Sequence, residues 1–292
     1  MSATWRIIEG DCRDVLRSLP AQSVHTCVTS PPYFGLRDYG TEGQIGLEPT
    51  PDEFVAALVA VFREVRRVLR DDGTVWLSLG DSYRNGQLLG VPWRVAFAMQ
   101  SDGWVLRSEI IWAKRNGLPD GRATDRPDRF HEQIFLFAKD TAHYFYDADA
   151  IREESDPAQE AHNRRYAREY EATTTKASNR QPGNSNHVGI HSRPGKGGRN
   201  KRSVWSVSVQ PFPGVHSATF PPKLIEPCIL AGAPEEGTVL DPFAGAGTTG
   251  MVALRHNRSF IGIELNPEYA AMARRRIVDD APLMNQVSEV AA

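Results

Sequence analysis

Two short stretches of the chain carry groups that could do chemistry together. Near the start, Ser30-Pro31-Pro32-Tyr33 offers a hydroxyl, two prolines and an aromatic ring. Near the end, residues 241–250 read Asp-Pro-Phe-Ala-Gly-Ala-Gly-Thr-Thr-Gly, and these glycines would let a ligand approach the backbone closely. Proline removes backbone donors and stiffens the chain, so the oxygen acceptors of the first stretch would stay in place. We predict that the two stretches face one cleft, although they lie far apart in sequence.

The glycine-rich stretch stands between a predicted strand and a predicted helix. Residues 238–240 are β-branched or apolar and indicate a buried strand that ends at Asp241-Pro242, and residues 248–254 are typical of a helix start. Strand, glycine turn and helix form a nucleotide-type site at the carboxyl end of a parallel strand. A second predicted strand, 259–263, ends in Glu264, roughly 20 residues past the glycines, where a carboxylate can accept hydrogen bonds from ribose hydroxyls.

The glycine spacing separates this stretch from the dinucleotide fingerprint. Gly250 does not stand where the third glycine of that fingerprint belongs, which favours a nucleoside ligand without phosphates. Residues 241–249 resemble the S-adenosyl-L-methionine motif of amino-methylating DNA methyltransferases, and residues 30–33 resemble their catalytic motif. The order of the two motifs, catalytic before cofactor, resembles that of the permuted beta group. The resemblance covers most of the chain outside residues 150–205.

This resemblance implies a fold and a division of the chain. The fold is α/β, a Rossmann-like class I methyltransferase fold with a mostly parallel sheet, an antiparallel strand, a circularly permuted motif order and a basic inserted recognition region. The implied segments are a catalytic half, a target recognition region, a cofactor-binding half and a tail, at residues 1–149, 150–205, 206–280 and 281–292.

The family also implies the order of strands across the sheet. Starting from one edge, we expect strands 5–8, 259–263, 238–240, 24–28 and 74–79. Two further predicted strands, 104–112 and 132–137, have no helix signal between them, so we expect them to form an antiparallel pair.

The resemblance assigns roles to individual residues. The catalytic residues would be Ser30, Pro31, Pro32 and Tyr33. The residues that would hold S-adenosyl-L-methionine are Asp11, Thr219, Phe220, Asp241, Phe243, Gly245, Gly247, Thr248 and Glu264. Asp11 has two compatible interpretations: it could bond the adenine amine of the cofactor, or it could cap the helix that follows it.

The implied reaction methylates a weak nucleophile. The lone pair of an exocyclic base amine is delocalised into the ring, and acceptors for the amine protons favour a pyramidal nitrogen. Ser30 Oγ and the Pro31 carbonyl can be those acceptors, and Tyr33 offers a flat face to a base that has left the duplex. Methylation of a ring carbon would require a cysteine nucleophile. Cys228 lies within an apolar helix pattern, so we interpret it as a core residue.

The residue before the two prolines bears on which amine is methylated. In this family serine there is usual for cytosine N4, and aspartate or asparagine for adenine N6, so Ser30 favours cytosine. An adenine N6 enzyme with the same machinery is the first alternative. A protein or RNA methyltransferase and a catalytically silent DNA-binding module are further alternatives, against which the motif order, the basic insertion and the intact motifs argue.

A basic segment lies between the two halves. Residues 161–205 are rich in Arg and Lys and poor in apolar and acidic side chains, a composition that suits phosphate contact. A solvated linker is the alternative interpretation. The residues predicted to contact DNA are Arg164, Arg165, Arg168, Lys196, Arg199, Lys201 and Arg202. Residues 34–51 form a glycine-bearing polar loop that we interpret as a lid, a DNA contact or a plain connector, and residues 81–86 a second polar loop.

Composition sets the class of protein. The chain has 292 residues, of which 40% are hydrophobic and 24% charged, with a net charge of −2. It contains no apolar run of the roughly 18 residues that a membrane span needs, and its start lacks a signal-peptide pattern, so we expect a cytoplasmic protein without a membrane partner. Its three cysteines show neither metal-ligand nor disulfide spacing. The expected partner is double-stranded DNA, while a homodimer and a cognate restriction endonuclease stay open.

Overall fold

The computed structural model describes residues 3–117, 124–154, 165, 198–210, 219–280 and 288–289. The chain divides into two compact units. The first consists of Met1–Asp147 and Arg202–Ala292, and the second of Ala148–Lys201. In the second unit, Glu153 and Arg199 exchange backbone hydrogen bonds of 2.9 Å in each direction, and the Arg152 guanidinium donates to Asp149 at 3.0 Å.

The first unit is built from helices packed on a sheet. Its helices are α1 Cys12–Ser18, α2 Pro51–Val68, α3 Val91–Ser101, α4 Pro222–Gly232, α5 Thr248–Arg255 and α6 Pro267–Asp280. Its strands are β1 Thr4–Glu9, β2 Val24–Thr29, β3 Leu69–Leu79, β4 Tyr83–Arg84, β5 Gln87–Leu88, β6 Val105–Lys114, β7 His131–Ala138, β8 Val204–Val207, β9 Thr238–Asp241, β10 Ser259–Glu264 and β11 Ser288–Glu289.

The described strands form a mostly parallel sheet of order β11-β1-β10-β9-β2-β3-β7-β6-β8. β7 runs antiparallel to both β3 and β6. The structure confirms the α/β fold class, the predicted order from β1 to β3, and the antiparallel pair.

Both edges of the sheet differ from the prediction. β1 is not an edge strand, because β11, in the predicted tail, pairs in parallel with its first residues. At the other edge β8, which lies at the end of the predicted basic segment, pairs in parallel with β6. These strands are too short for a local hydrophobic pattern, and backbone pairing with a longer neighbour holds them in place.

Local signals explain the second helix. The Thr50 hydroxyl accepts the backbone N–H of Glu53 at 3.2 Å, so it caps the helix, and Pro51 occupies the first helical position. The apolar positions Phe54, Leu58 and Phe62 are buried in the core. α2 leads directly into β3, the strand beside β2.

Two predicted segments have different bounds or structures. The strand expected at 74–79 is β3, which begins already at Leu69. Within the predicted loop 81–86, β4 begins a two-stranded hairpin with β5. Asn85 and Gly86 connect these strands with φ of 52° and 78°. An Asn-Gly pair is the usual signal for such a tight turn, and it could have predicted this hairpin.

The structure bears on two further expectations. None of the helices in the described part of the chain is long and apolar enough to cross a membrane. Cys12, Cys27 and Cys228 are buried and form no disulfide. Cys228 is 1% exposed within α4, which confirms that it is a core residue.

Candidate active site

The carboxyl ends of β1, β2, β9 and β10 border a cavity of about 350 Å³. The two stretches singled out in the sequence both face it, which confirms that they share one cleft. The predicted site residues that line the cavity are Asp11, Ser30, Pro31, Pro32, Tyr33, Thr219, Phe220, Asp241, Phe243, Gly245, Thr248 and Glu264.

A buried carboxylate joins the two stretches. β2 and β9 are adjacent in the sheet. The Thr29 hydroxyl donates to Asp241 Oδ1 at 2.6 Å. The Thr249 hydroxyl donates to Asp241 Oδ2 at 2.7 Å, and the Phe243 N–H donates to Oδ1 at 3.1 Å. Burial raises the pKa of Asp241 to about 6 against these hydrogen bonds. The residue before Ser30 is thereby fixed to the start of the glycine turn.

Glu264 holds the glycine turn from the neighbouring strand. Its two carboxylate oxygens accept the backbone N–H of Gly245 at 2.8 Å and of Asn266 at 2.9 Å. Burial raises the pKa of Glu264, although both hydrogen bonds oppose that shift. Each carboxylate oxygen has a second lone pair, so Glu264 can still accept hydrogen bonds from a ligand.

Gly247 is the one predicted cofactor residue that does not line the cavity. It has φ +74° at the start of α5, and a Cβ there would lie 2.9 Å from the Cβ of Ala273 in α6. The structure thus gives Gly247 a role in helix packing. A direct contact between Gly247 and the cofactor is a prediction without geometric support.

Asp11 caps α1, which confirms one of its two interpretations. Its carboxylate accepts the backbone N–H of Arg13 at 2.8 Å and pairs with the Arg13 guanidinium. These hydrogen bonds lower the pKa of Asp11. Arg13 also donates to the Gly43 carbonyl at 3.0 Å. Contact with an adenine amine stays a prediction.

Residues 34–50 form a loop that its own contacts order. The Gly35 N–H donates to the Gly46 carbonyl at 2.8 Å, and Phe34 and Ile45 are each 5% exposed. The Gln44 side chain accepts the Tyr39 N–H at 2.7 Å. Because Tyr39 and Ile45 line the cavity, the loop is part of the site wall, unlike a plain connector.

The catalytic stretch has polar neighbours that the sequence analysis missed. The Tyr33 hydroxyl donates to Glu132 Oε2 at 2.7 Å, and Glu132 forms an ion pair with Lys114. Burial, and then the Glu132 charge, raise the pKa of Tyr33 well above its ordinary value. Glu132, Lys114 and Trp112 line the cavity. Glu132 and Lys114 stand at the two ends of the segment between the antiparallel strands. These charges at strand ends were a signal that could have found them.

The structure describes only part of the predicted DNA contacts. Arg199 pairs with Glu153 at 3.2 Å, and Lys201 lies 3.8 Å from the same carboxylate. The Arg202 carbonyl accepts from Trp205 Nε1 at 2.6 Å, and Arg165 is helical and exposed. Arg164, Arg168 and Lys196 lie outside the described residues. DNA contact by this set stays a prediction.

Fold and site together define a class of protein. A cavity whose wall includes several carboxyl groups lies at the carboxyl edge of a mostly parallel sheet. It lies beside a glycine turn and a proline-stiffened turn, as expected for an α/β protein that binds a nucleoside-type ligand. Within this class the chain belongs to the N6/N4 DNA methylase family, whose model matches residues 24–275.

Relatives agree with this assignment. Type II methyltransferase M.XycI of Xanthomonas campestris pv. cyanopsidis is 44% identical over 93% of this chain and 87% of its own length. Type II methyltransferase M.SmaI of Serratia marcescens is 40% identical over 94% of this chain and 90% of its own length. DNA adenine methyltransferase YhdJ of Escherichia coli strain K12 is 29% identical over 93% of this chain and 82% of its own length.

Solved structures show the same architecture. TTHA0409 of Thermus thermophilus, solved in complex with S-adenosyl-L-methionine, superposes with a TM-score of 0.61 at 26% identity, covering 96% of this chain and 97% of that one. PvuII DNA methyltransferase, described as cytosine-N4-specific, has the same fold, with a TM-score of 0.67 at 21% identity. The superposition covers 99% of this chain and 95% of that one.

Proposed function

We propose that this chain transfers a methyl group from S-adenosyl-L-methionine to the N4 amine of a flipped cytosine at a specific site in duplex DNA. The observation that carries the proposal is the Thr29–Asp241 hydrogen bond, which joins the Ser-Pro-Pro-Tyr turn to the glycine turn beside one cavity. Membership of the DNA methylase family supports it.

The cavity suits this cofactor. Its wall contains the carboxyl groups of Asp11, Asp241 and Glu264, which would attract a cationic ligand and repel phosphates. The glycine turn lets a nucleoside approach the backbone. S-adenosyl-L-methionine supplies an activated methyl group on a sulfonium cation, and TTHA0409, of similar fold, binds it. We assign Glu264 to the ribose, Asp11 to the adenine, and the other predicted cofactor residues that line the cavity to the same ligand.

The chain's own residues position the acceptor amine. Ser30 Oγ and the Pro31 carbonyl accept hydrogen bonds from the amine N–H groups, which leaves the nitrogen lone pair directed at the methyl group. The new N–C bond would form as the bond between sulfur and the methyl group breaks. The Tyr33 ring supports the flipped base. Positioning two reactants in this way contributes most of the rate gain in a direct transfer. We assign the chain to the permuted beta group because the catalytic turn precedes the glycine turn.

The choice of cytosine over adenine rests on Ser30 before the two prolines. Adenine N6 is the second candidate, because YhdJ, a DNA adenine methyltransferase by name, is 29% identical to this chain. Both bases present a similar amidine edge, so the same machinery would serve either.

We propose residues 150–205 as the target recognition region, between a catalytic half at 1–149 and a cofactor-binding half at 206–280. Its basic side chains would contact phosphates. The Type II names of M.XycI and M.SmaI favour a cognate restriction endonuclease as a functional partner. A protein that modifies cellular DNA would work in the cytoplasm.

The direct test is mass analysis of nucleosides after incubation of duplex DNA with the protein and S-adenosyl-L-methionine. We expect N4-methylcytosine; N6-methyladenine would support the second candidate. DNA of varied sequence that stays unmodified would contradict both.

Ser30→Ala tests the catalytic role. We expect a loss of about 100-fold or more in single-turnover methyl transfer, because a preorganised polar partner of the reacting amine is removed. The Kd for the cofactor, measured by calorimetry, should stay within about twofold, since removing a group that acts mainly in the transition state leaves ground-state binding intact. Ser18→Ala is the matched control, because Ser18 is exposed at the end of α1. Unchanged transfer by Ser30→Ala would remove Ser30 from the mechanism.

A further inference from the structure

A chain of polar groups runs from Ser30 to the antiparallel strands. Ser30 Oγ lies 3.5 Å from Tyr33 Oη, and Tyr33 Oη lies 2.7 Å from Glu132 Oε2. The other carboxylate oxygen of Glu132 accepts from Lys114. The side chains of Glu132 and Lys114 are 14% and 24% exposed, and both face the cavity.

We propose that Glu132, which forms an ion pair with Lys114, is a positioning residue that acts through Tyr33 to orient the Ser30 hydroxyl toward the acceptor amine. This inference rests on the proposed function and names residues that neither sequence motif contains.

The direction of each hydrogen bond follows from the groups at the end of the chain. An ammonium group only donates, and an ionised carboxylate only accepts. The single hydroxyl hydrogen of Tyr33 is therefore committed to Glu132, and its oxygen is left as an acceptor. The Ser30 hydrogen then points to Tyr33. Ser30 lines the cavity, so the remaining lone pairs of its Oγ can accept a hydrogen bond from the amine.

The 3.5 Å between Ser30 Oγ and Tyr33 Oη is long for a hydrogen bond between two hydroxyl groups. Hydrogen bonds among catalytic groups are often long before the substrate binds and tighten in the reacting complex. Polarisation along a chain of hydrogen bonds strengthens each member. Since methyl transfer moves positive charge from sulfur to the amine nitrogen, a carboxylate at the far end stabilises the transition state more than the ground state.

The fold holds Tyr33, the middle group of this hydrogen-bonded chain, in position. A Cβ at Gly80 would lie 2.4 Å from Tyr33 Cε2, so the ring rests directly on the backbone at the end of β3. Trp112 and Glu132 face each other in the β6–β7 register, and the Lys114 ammonium lies 4.8 Å from the Trp112 ring centre. Tyr33, Glu132 and Lys114 therefore come from separate elements that the sheet places together.

The test is a double-mutant cycle on methyl transfer. Its variants are Glu132→Gln, Tyr33→Phe and the double variant, and its readouts are the single-turnover rate on DNA and the calorimetric Kd for S-adenosyl-L-methionine. Glu109→Gln is the matched control, because Glu109 is a half-buried carboxylate on neighbouring β6 that does not line the cavity.

We expect Glu132→Gln to slow transfer by about 10- to 100-fold, the effect of losing a hydrogen bond to a charged group. Its cofactor Kd should stay within about twofold of the wild-type value, since the chain orients the acceptor rather than the cofactor. The glutamine amide can donate as well as accept, so it no longer dictates the direction of the chain. The double variant should be no slower than the slower single variant, because both changes interrupt the same chain.

Three outcomes would overturn the inference. Additive losses of transfer rate in the double variant would show that Glu132 does not act through Tyr33. A weaker cofactor affinity at an unchanged transfer rate would make Glu132 a binding residue. If Glu109→Gln slowed methyl transfer as much as Glu132→Gln, the effect would be a general consequence of changing a carboxylate on the sheet. A wild-type protein that leaves DNA unmodified would instead refute the proposed function, so the two failures are distinguishable.

Discussion

Asp241 is a buried acid that accepts three hydrogen bonds, from Thr29, Thr249 and the backbone of Phe243. Each hydrogen bond favours the ionised form, but removal from water favours the neutral form and prevails. The residue holds two motifs together and retains a carboxyl group at the cavity wall. Burial also raises the pKa of Glu264. This residue, at the end of β10, joins that strand to the glycine turn through the Gly245 N–H.

The pKa of Asp241 predicts a pH effect on stability. It is about 6 in the folded protein, against an ordinary value of 3.8. The folded state therefore binds the proton more tightly than the unfolded state. Stability from this group is complete below about pH 4 and is lost as pH rises to about 6.

Asp241→Asn should remove this dependence. Relative to wild type, we expect the variant to gain on the order of 3 kcal/mol in unfolding free energy as pH rises from about 4 to about 7. Urea denaturation across that range measures the difference. A difference between the two proteins that does not change with pH would report only altered hydrogen bonding, and it would contradict the raised pKa of Asp241.

Among the elements, the junction of α5 and α6 depends on a glycine. Gly247 starts α5 in a left-handed conformation, with φ +74° and no side-chain cap. Ala273 of α6 occupies the space that a Cβ would need. Gly90 starts α3 in the same conformation, with φ +68°, but with nothing within 4 Å of its Cβ direction. A Cβ added at Gly247 would therefore meet a neighbouring helix, and one added at Gly90 would not.

This difference predicts the outcome of a matched pair of variants. Gly247→Ala and Gly90→Ala both place a side chain in the left-handed region, at a cost of about 1–2 kcal/mol. Gly247→Ala should cost about 1–3 kcal/mol more, because Ala273 and the helix backbone must move. Chemical denaturation of both variants measures the gap. Equal losses of unfolding free energy in the two variants would mean that α6 moves aside for the new side chain without cost.

At the scale of the whole molecule, charge is distributed unevenly along the chain. The net charge is −2, yet the proposed recognition region is basic while the cavity wall carries several carboxyl groups. This separation suits a protein that binds a cationic cofactor in one place and a polyanion in another.

The salt dependence of DNA binding tests this arrangement. Replacing Arg164, Arg165 and Arg168 by Gln should reduce the slope of log K against log salt by about 0.9 for each phosphate that the variant no longer neutralises. Cofactor affinity should not change, because none of the predicted cofactor residues lies in the segment 150–205.

A triple control replaces Arg17, Arg63 and Arg70 by Gln. These exposed residues are paired with Asp14, Asp102 and Asp72, and they lie where α1, α2 and the start of β3 approach the amino-terminal ends of the strands. Equal reductions of the slope in both triple variants would mean that the basic segment makes no special contact with DNA.

Local sequence determined the parts of this protein whose signals lie within a few residues. The strand–turn–helix at 238–254, the helix cap at Asp11 and the core position of Cys228 follow from residue type and near neighbours. The family resemblance of two motifs extended this to the order of the central strands. A glycine turn or a helix cap is specified by its own dihedral preferences, which explains why these predictions were confirmed.

Only the tertiary structure decided which distant side chains meet. The Tyr33–Glu132–Lys114 contacts depend on the register of β6 and β7 and on the position of β3 beside them, and no local pattern encodes that combination. The packing role of Gly247 required the position of Ala273, and the short strands β8 and β11 exist because longer neighbours offered them backbone partners. Local dihedral preferences act over a few residues, whereas strand register and helix packing are set by the burial of the whole core.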